Sequence, residues 1–190
     1  MRGWVSALLL VPVIAATAAC GAGSSGGRDD GADDTGSGSA SAAARLEQQR
    51  DEVRAAARKL LVAAEKRLPG STRNSVGRWE GCESAFPEGF RDFRYVGQAR
   101  VDVDGGSSAT SPYVEDLRPA LEAAGFTVGQ PERRSNGFTT LKGAKGQLTA
   151  SFVHTGGAFV GLDIAGPCVE VPKGDRDAWL RKDEPSPELR

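Results

Sequence analysis

Histidine and methionine are nearly absent from this 190-residue chain, which contains one of each, and tyrosine occurs only twice. No cluster of histidine and cysteine has the ligand spacing of a zinc site. The formal net charge is −1, so the composition gives no reason to expect a nucleic-acid partner. Apolar residues form only 39% of the chain while glycine reaches 25 residues, which indicates that part of the chain lies outside a packed core.

The chain also lacks an apolar run long enough to cross a membrane. A transmembrane helix needs about 20 apolar residues, whereas the run from Val5 to Ala16 is shorter and contains Pro12. Arg2 precedes this run and small residues follow it, which is the pattern of an export signal. We therefore predict that the mature protein lies outside the cytoplasm.

The four residues Thr17-Ala18-Ala19-Cys20 resemble a bacterial lipobox, in which small residues precede a cysteine. In lipoproteins of this kind the cysteine thiol receives a diacylglyceryl group, and the signal is cut before the cysteine. The resemblance implies that residues 1–19 are a signal peptide and that Cys20 holds the chain at the extracytoplasmic face of the cell membrane. Two acyl chains suffice for stable attachment, because each buried CH₂ contributes about 0.8 kcal/mol. An ordinary signal peptide cut after the alanine-rich segment is the alternative.

Composition divides the remaining chain into three parts. Residues 20–44 are rich in Gly, Ser and Asp, and beyond the cysteine no apolar side chain is larger than alanine, which predicts a disordered tether. Residues 45–172 carry the apolar patterns of a folded domain. Residues 173–190 are charged and contain proline, and we expect an exposed charged tail there.

Apolar residues recur at spacings of three, four and seven from Leu46 to Leu68, which predicts an amphipathic helix that ends at Pro69-Gly70. The other face of this helix is mainly basic. We expect the apolar stripe to cover a sheet while the basic face is solvated, and the alternative is a helix that lies on a membrane surface.

The clearest strand runs from Arg91 to Val103, where apolar and polar residues alternate. A second helix is predicted over residues 112–124, with Ser111 as its cap and Pro112 in its first position, broken near Pro119 and ended by Gly125. Further strands are predicted over residues 126–130, 137–142, 147–154 and 158–165. The order predicts a two-layer α+β domain, with a mostly antiparallel sheet of 4–5 strands and two helices on one face.

If Cys20 carries lipid, Cys82 and Cys168 are the only cysteines left to pair. Disulfides persist in the oxidising compartment that an export signal implies, so we predict one disulfide between them. The two cysteines flank the predicted strands, which suits antiparallel neighbours. A redox pair is the less favoured alternative, because the CxxC spacing of such pairs is missing.

His154 is the one histidine that could act as a general acid or base, and it ends a predicted strand beside a Gly-Gly turn. A hydrolase would also need a positioned serine and carboxylate, and the chain has no G-x-S-x-G sequence. We therefore expect no enzymatic activity, no metal and no other cofactor. The alternatives are a small envelope hydrolase that uses His154 and a small-ligand carrier with a pocket between sheet and helices.

Five residues are candidates for contact with a partner. Trp79, Phe86 and Phe90 lie close in sequence to the first cysteine of the predicted disulfide, where they either anchor an interface or pack around that bond. Arg133 and Arg134 stand beside a predicted Asn-Gly turn, where they either bind an anion or belong to a solvated turn.

The order of signal, lipobox, Gly/Ser/Asp tether and small domain with one cysteine pair is similar to that of small uncharacterised actinobacterial lipoproteins. This layout implies a membrane-anchored interaction or accessory domain of the cell envelope, with an envelope protein or ligand as its partner.

Overall fold

A computed structural model describes residues 35–82, 91–103 and 113–189, with side chains described from residue 41 onward. The predicted signal, Cys20, Phe86, Phe90, Ser111 and Pro112 lie outside these ranges. In chain order, the helices and strands are α1 (Thr35–Glu65), β1 (Thr72–Gly81), β2 (Asp92–Asp102), α2 (Tyr113–Asp116), α3 (Arg118–Ala123), β3 (Thr127–Val128), β4 (Glu132–Arg133), β5 (Thr139–Lys145), β6 (Leu148–His154), β7 (Phe159–Ala165), β8 (Val169–Glu170) and α4 (Arg176–Leu180), with a 3₁₀ turn at Lys173–Asp175.

The strands form one antiparallel sheet with the order β1-β2-β7-β6-β5-β3, while β4 pairs with β5 and β8 pairs with β2. The predicted α+β class with an antiparallel sheet is confirmed. The predicted number of strands is too low, because the described residues contain eight. The difference comes from β1, which has no apolar alternation, and from the two-residue strands β4 and β8.

Helix α1 covers one face of the sheet with the apolar stripe that its sequence predicts. Leu46, Val53 and Leu60 on this stripe are fully buried, and α1 packs mainly against β2. The helix begins at Thr35 rather than near Arg45, so the prediction of a disordered tether up to residue 44 is wrong for the residues from Thr35 onward. No helix in the described ranges has the length and apolarity needed to cross a bilayer.

The predicted second helix is divided into α2 and α3 at Leu117, as expected from Pro119, which lies in the first turn of α3. Gly125 follows α3 with a φ of 87°, a backbone conformation that favours glycine at the end of a helix. The backbone N–H of Phe126 then donates to the carbonyl of Leu121 at 3.0 Å. This turn directs the chain into β3.

Cys82 and Cys168 form a disulfide, as predicted, with their Cα atoms 6.1 Å apart. Cys82 follows β1 and Cys168 precedes β8, and both strands pair with the beginning of β2. The bond closes a segment of 86 residues. It therefore joins the first strand of the sheet to the last one.

The C-terminal segment, residues 173–189, is packed against the fold and is not the exposed tail that its charge predicts. Trp179 and Leu189 in this segment are buried. The backbone N–H of Gly77 in β1 donates to the carbonyl of Pro187 at 2.6 Å, and Val76 forms an isolated β-bridge with Glu188. The segment thus occupies the outer edge of β1.

Three arginines, spaced four residues apart on α1, hold the C-terminal segment. Arg50 donates to both carboxylate oxygens of Glu184, at 2.7 and 2.6 Å. Arg54 donates to the carbonyls of residues 186 and 188 and to the Tyr95 hydroxyl, and Arg58 donates to the carbonyl of residue 189. The hydrogen bonds from Arg50 hold the pKa of Glu184 at about 2, while burial raises the pKa of Tyr95.

Candidate functional site

The two faces of the sheet differ in what covers them. On one face, side chains such as Phe93, Phe152 and Leu162 are buried beneath the helices. On the other face, called the open face below, the alternate residues of the same strands are mostly polar. Because successive side chains of a strand point to opposite faces, residues paired in register across β2, β7, β6 and β5 form continuous rows on the open face.

A groove of about 510 Å³ lies on the open face. It crosses β1, β2, β7, β6, β5 and β3, a width of about 24 Å at about 4.8 Å per strand. The side chains that line it are Glu80, Arg94, Val96, Gln98, Thr127, Lys142, Ala144, Thr149, Ser151, Asp163 and Ala165. Because the central strands are paired on both edges, a bound molecule would contact side chains rather than unpaired backbone groups.

The floor of the groove is built from small side chains that three strands bring together. Ala144 pairs with Thr149, and Thr149 pairs with Ala165. Ala165 in turn pairs with Val96, which is 5% exposed. Small residues in adjacent register positions leave a depression that larger side chains would fill.

Charged and amide side chains are fixed at the β1–β2 end of the groove. Arg94 donates from both Nε and Nη2 to Oε1 of Glu80, at 2.9 and 2.6 Å. Arg78 donates to Oε1 of Gln98 at 2.6 Å, and Gln98 donates to Oδ1 of Asp163 at 2.8 Å. These hydrogen bonds hold the side chains in defined positions, which is the property that a specific binding site requires.

The β5 end of the groove carries Lys142, whose Nζ donates to Oε2 of Glu132 in β4 at 2.8 Å. This hydrogen bond and the charge of Lys142 lower the pKa of Glu132. The ionisable side chains that line the groove are two acids, Glu80 and Asp163, and two bases, Arg94 and Lys142. The groove is therefore formally neutral, with Asp163 on the central strand β7 and small side chains along the row that forms the floor.

His154 lies on the opposite, covered face of the sheet, at the end of β6. Its side chain is 3% exposed, and its Nε2 lies 3.0 Å from the carbonyl of Gly157 in the following turn. The ring also makes an edge-on contact with Tyr113, at 5.8 Å between ring centroids. These are the contacts of a buried packing residue, and the contact with Gly157 holds the turn between β6 and β7 in place.

Trp79 is also buried, with 9% of its surface exposed, which agrees with packing and not with an exposed interface anchor. Its ring lies 4.9 Å, centroid to centroid, from both Tyr95 and Trp179 in edge-on contacts. Lys182 lies 3.9 Å above the Trp179 ring. The aromatic residues thus join the C-terminal segment to β1 and β2.

Arg133 and Arg134 are exposed, as a solvated turn or an anion site would both require. The backbone N–H of Arg134 donates to the carbonyl of Phe138 at 2.8 Å, which closes the predicted turn. The structure does not bring the two arginines to the rows of side chains that line the groove, and anion binding by them stays a prediction.

The groove residues could not be predicted from the sequence. Their common feature is a polar or small side chain at alternate positions of strands, which on its own indicates only a solvated face. The signal that distinguishes them is the register between β7, β6 and β5, and a single sequence does not contain it.

No family model and no curated protein matches this chain. A solved structure with some similarity is the crystal structure of the "putative lipoprotein LppA from Mycobacterium tuberculosis", at 14% sequence identity and a TM-score of 0.41. The similarity covers 73% of this chain and 82% of that chain. A likeness of this size does not establish a shared fold or function.

Proposed function

We propose that this chain is a lipid-anchored, extracytoplasmic accessory protein of the cell envelope that binds a partner in the groove of the open face. The observation that carries the proposal is the contrast between the two faces. Helices cover one face, while the other holds an open depression of about 510 Å³, a size typical of ligand sites.

The anchor and the compartment are supported by two features of the sequence and one of the structure. The lipobox-like residues before Cys20 imply acylation of that cysteine. The apolar run that precedes them is typical of export. The Cys82–Cys168 disulfide is the kind of bond that persists outside the cytoplasm.

A non-catalytic role is supported by the position of His154. A general base must reach the proton that it abstracts, whereas this imidazole is buried and one of its nitrogens lies within hydrogen-bond distance of a backbone carbonyl. The groove itself contains paired charges and hydroxyl groups without that histidine.

The occupant that fits the groove has a narrow apolar surface with polar groups at both ends. The small floor residues accept the apolar surface, and the Arg94–Glu80 and Lys142–Glu132 pairs can exchange hydrogen bonds with the polar ends. We favour a segment of an envelope protein. The volume of the groove also favours a second candidate, a small amphiphilic ligand, and this would make the protein a carrier.

Photo-crosslinking in intact cells tests the proposal. A photoreactive amino acid at Thr149, in the exposed floor of the groove, is compared with the same amino acid at Glu122, an exposed position on α3. We expect a discrete product from the first position only. A product from neither position, or equal products from both, would contradict a role for the groove.

The anchor is tested separately by metabolic labelling with palmitate. The wild-type chain should carry the label and be found in the membrane fraction, whereas the Cys20→Ala variant should carry no label. Labelling that persists in the variant would place the lipid elsewhere and remove the lipobox interpretation.

A further inference from the structure

The last turns of α1 and the two residues after it carry a concentration of positive charge on the surface that faces away from the sheet. Arg58, Lys59, Lys66 and Arg67 are all exposed there, and they surround Val62, which is 52% exposed. The same residues line a shallow depression. We call this surface the basic patch.

Acidic residues are fewer than basic ones in this stretch of the chain. The one acid between residues 58 and 67 is Glu65, whose Oε1 accepts a hydrogen bond from the backbone N–H of Thr72 at 2.8 Å. The exposed acids of α1 lie in its earlier turns, at Glu47, Asp51 and Glu52. The helix is therefore basic on its outer surface only toward its C-terminal end.

The basic patch and the groove lie on opposite sides of the molecule. The inner surface of α1 packs on the covered face of the sheet, so its outer surface points away from the open face. A membrane that contacts the basic patch would consequently leave the groove free for a partner.

We infer that the basic patch binds the anionic headgroups of the membrane to which the lipid anchor attaches the chain; this inference rests on the proposed function. Each Lys or Arg close to an anionic bilayer contributes about 1 kcal/mol. The exposed Val62 at the centre of the patch can insert its side chain between headgroups, as apolar residues do on membrane-surface helices.

The length of chain before α1 is consistent with this contact. The fifteen residues from Cys20 to Asp34 span at most about 54 Å, whatever their conformation. Helix α1 has 31 residues and is about 46 Å long. The helix could stand upright on its basic end only if the linker were almost fully extended, so α1 would lie along or tilted toward the bilayer.

Vesicle sedimentation tests this inference. The chain from residue 20 onward, with Cys20→Ser to remove the lipid, is mixed with vesicles of phosphatidylcholine alone or with an equal part of phosphatidylglycerol. The patch variant carries Lys59→Gln, Lys66→Gln and Arg67→Gln. The control variant carries Arg100→Gln, Lys173→Gln and Arg181→Gln, which removes three exposed charges elsewhere.

We expect the parent chain to bind the anionic vesicles only, and added salt to weaken this binding. The patch variant should lose about a hundredfold in its partitioning onto these vesicles. The control variant should bind within a few-fold of the parent chain. Equal binding to both vesicle types, no binding to either, or an equal loss in the two variants would overturn the inference. Thermal unfolding of each variant checks that the fold is intact.

The result does not depend on acylation or on an occupied groove, because the chain tested has no lipid and no partner. A failure of vesicle binding would therefore leave the palmitate and crosslinking experiments to decide the proposed function by themselves.

Discussion

The Leu189→Ala substitution distinguishes a packed C-terminal segment from an exposed tail. Leu189 has no exposed surface. Its Cδ1 atom lies 3.2 Å from the position that a Cβ would take at Gly97, so the leucine fills a space that this glycine leaves in β2. Removing three carbons from a fully buried leucine costs about 2–5 kcal/mol in the free energy of unfolding.

This cost is a large part of the stability of a single domain, which is about 5–15 kcal/mol. A loss of about 3 kcal/mol lowers the melting temperature of a domain of this size by about 10 °C. Urea denaturation and thermal melting, both followed by circular dichroism, measure the two quantities.

The neighbouring Glu188→Ala substitution is the matched control. The Glu188 side chain is exposed, and the hydrogen bonds that this residue makes to Arg54 and β1 use its backbone. It should change the free energy of unfolding by no more than about 0.5 kcal/mol. If Leu189→Ala changes it equally little, the segment is not packed in solution and the reasoning is wrong.

Three further substitutions test the contacts that hold the fold. Glu184→Gln should destabilise the chain at neutral pH, because the folded-state pKa of the carboxyl is lowered to about 2. This difference from wild type should shrink as pH falls below about 4.5 and be lost as pH falls through about 2, and an undiminished difference at pH 2 would contradict it. Joint replacement of Cys82 and Cys168 by alanine should cost about 4–5 kcal/mol in the chain-entropy model, and an unchanged urea midpoint would count against the bond. Gly77→Ala should cost at least about 1–3 kcal/mol, since the new Cβ would stand 2.0 Å from the tyrosine hydroxyl of β2, whereas Gly174→Ala, which meets nothing within 4 Å, should be nearly neutral.

The elements that could be predicted from the sequence are those in which apolar residues repeat with the period of a helix or of a strand. The stripe that includes Leu46 and Leu60 identifies α1, and the alternation around Val101 identifies β2. Pro119 marks the break between α2 and α3 because a proline in a helix interior removes a hydrogen bond. In each case the physical cause lies within a few residues of its effect.

Strand β1 could not be predicted because its partner, and not its own sequence, makes it a strand. It includes Gly77 and several polar residues, and only Gly77 and Trp79 are buried. Gly77 is required there because the Tyr95 side chain of β2 occupies the space beside it. This constraint becomes visible only when the two strands are aligned.

The packing of the C-terminal segment could not be predicted for a related reason. Its charged residues suggest a solvated chain, yet Glu184 is buried against the arginines of α1, more than a hundred residues earlier. On the basic face of that helix, Arg50 and Arg54 depart from the predicted solvation for the same reason, because they bind this segment. Pairing between distant charges has no local periodicity, so the sequence indicates neither partner.

The groove is the feature that the sequence indicates least. Ala144, Thr149 and Ala165 are ordinary residues in separate strands, and they become the floor of a groove only through the order and register of β5, β6 and β7.

The central claim is that the floor of this groove is the binding surface, and a pair of tryptophan substitutions tests it most directly. Ala165→Trp places a large side chain in the groove, whereas Val153→Trp places the same side chain on the open face outside the groove lining. We predict that the photo-crosslinked product from Thr149 disappears with Ala165→Trp and persists with Val153→Trp, while both variants melt cooperatively. Persistence of the product with a tryptophan at position 165 would contradict the claim.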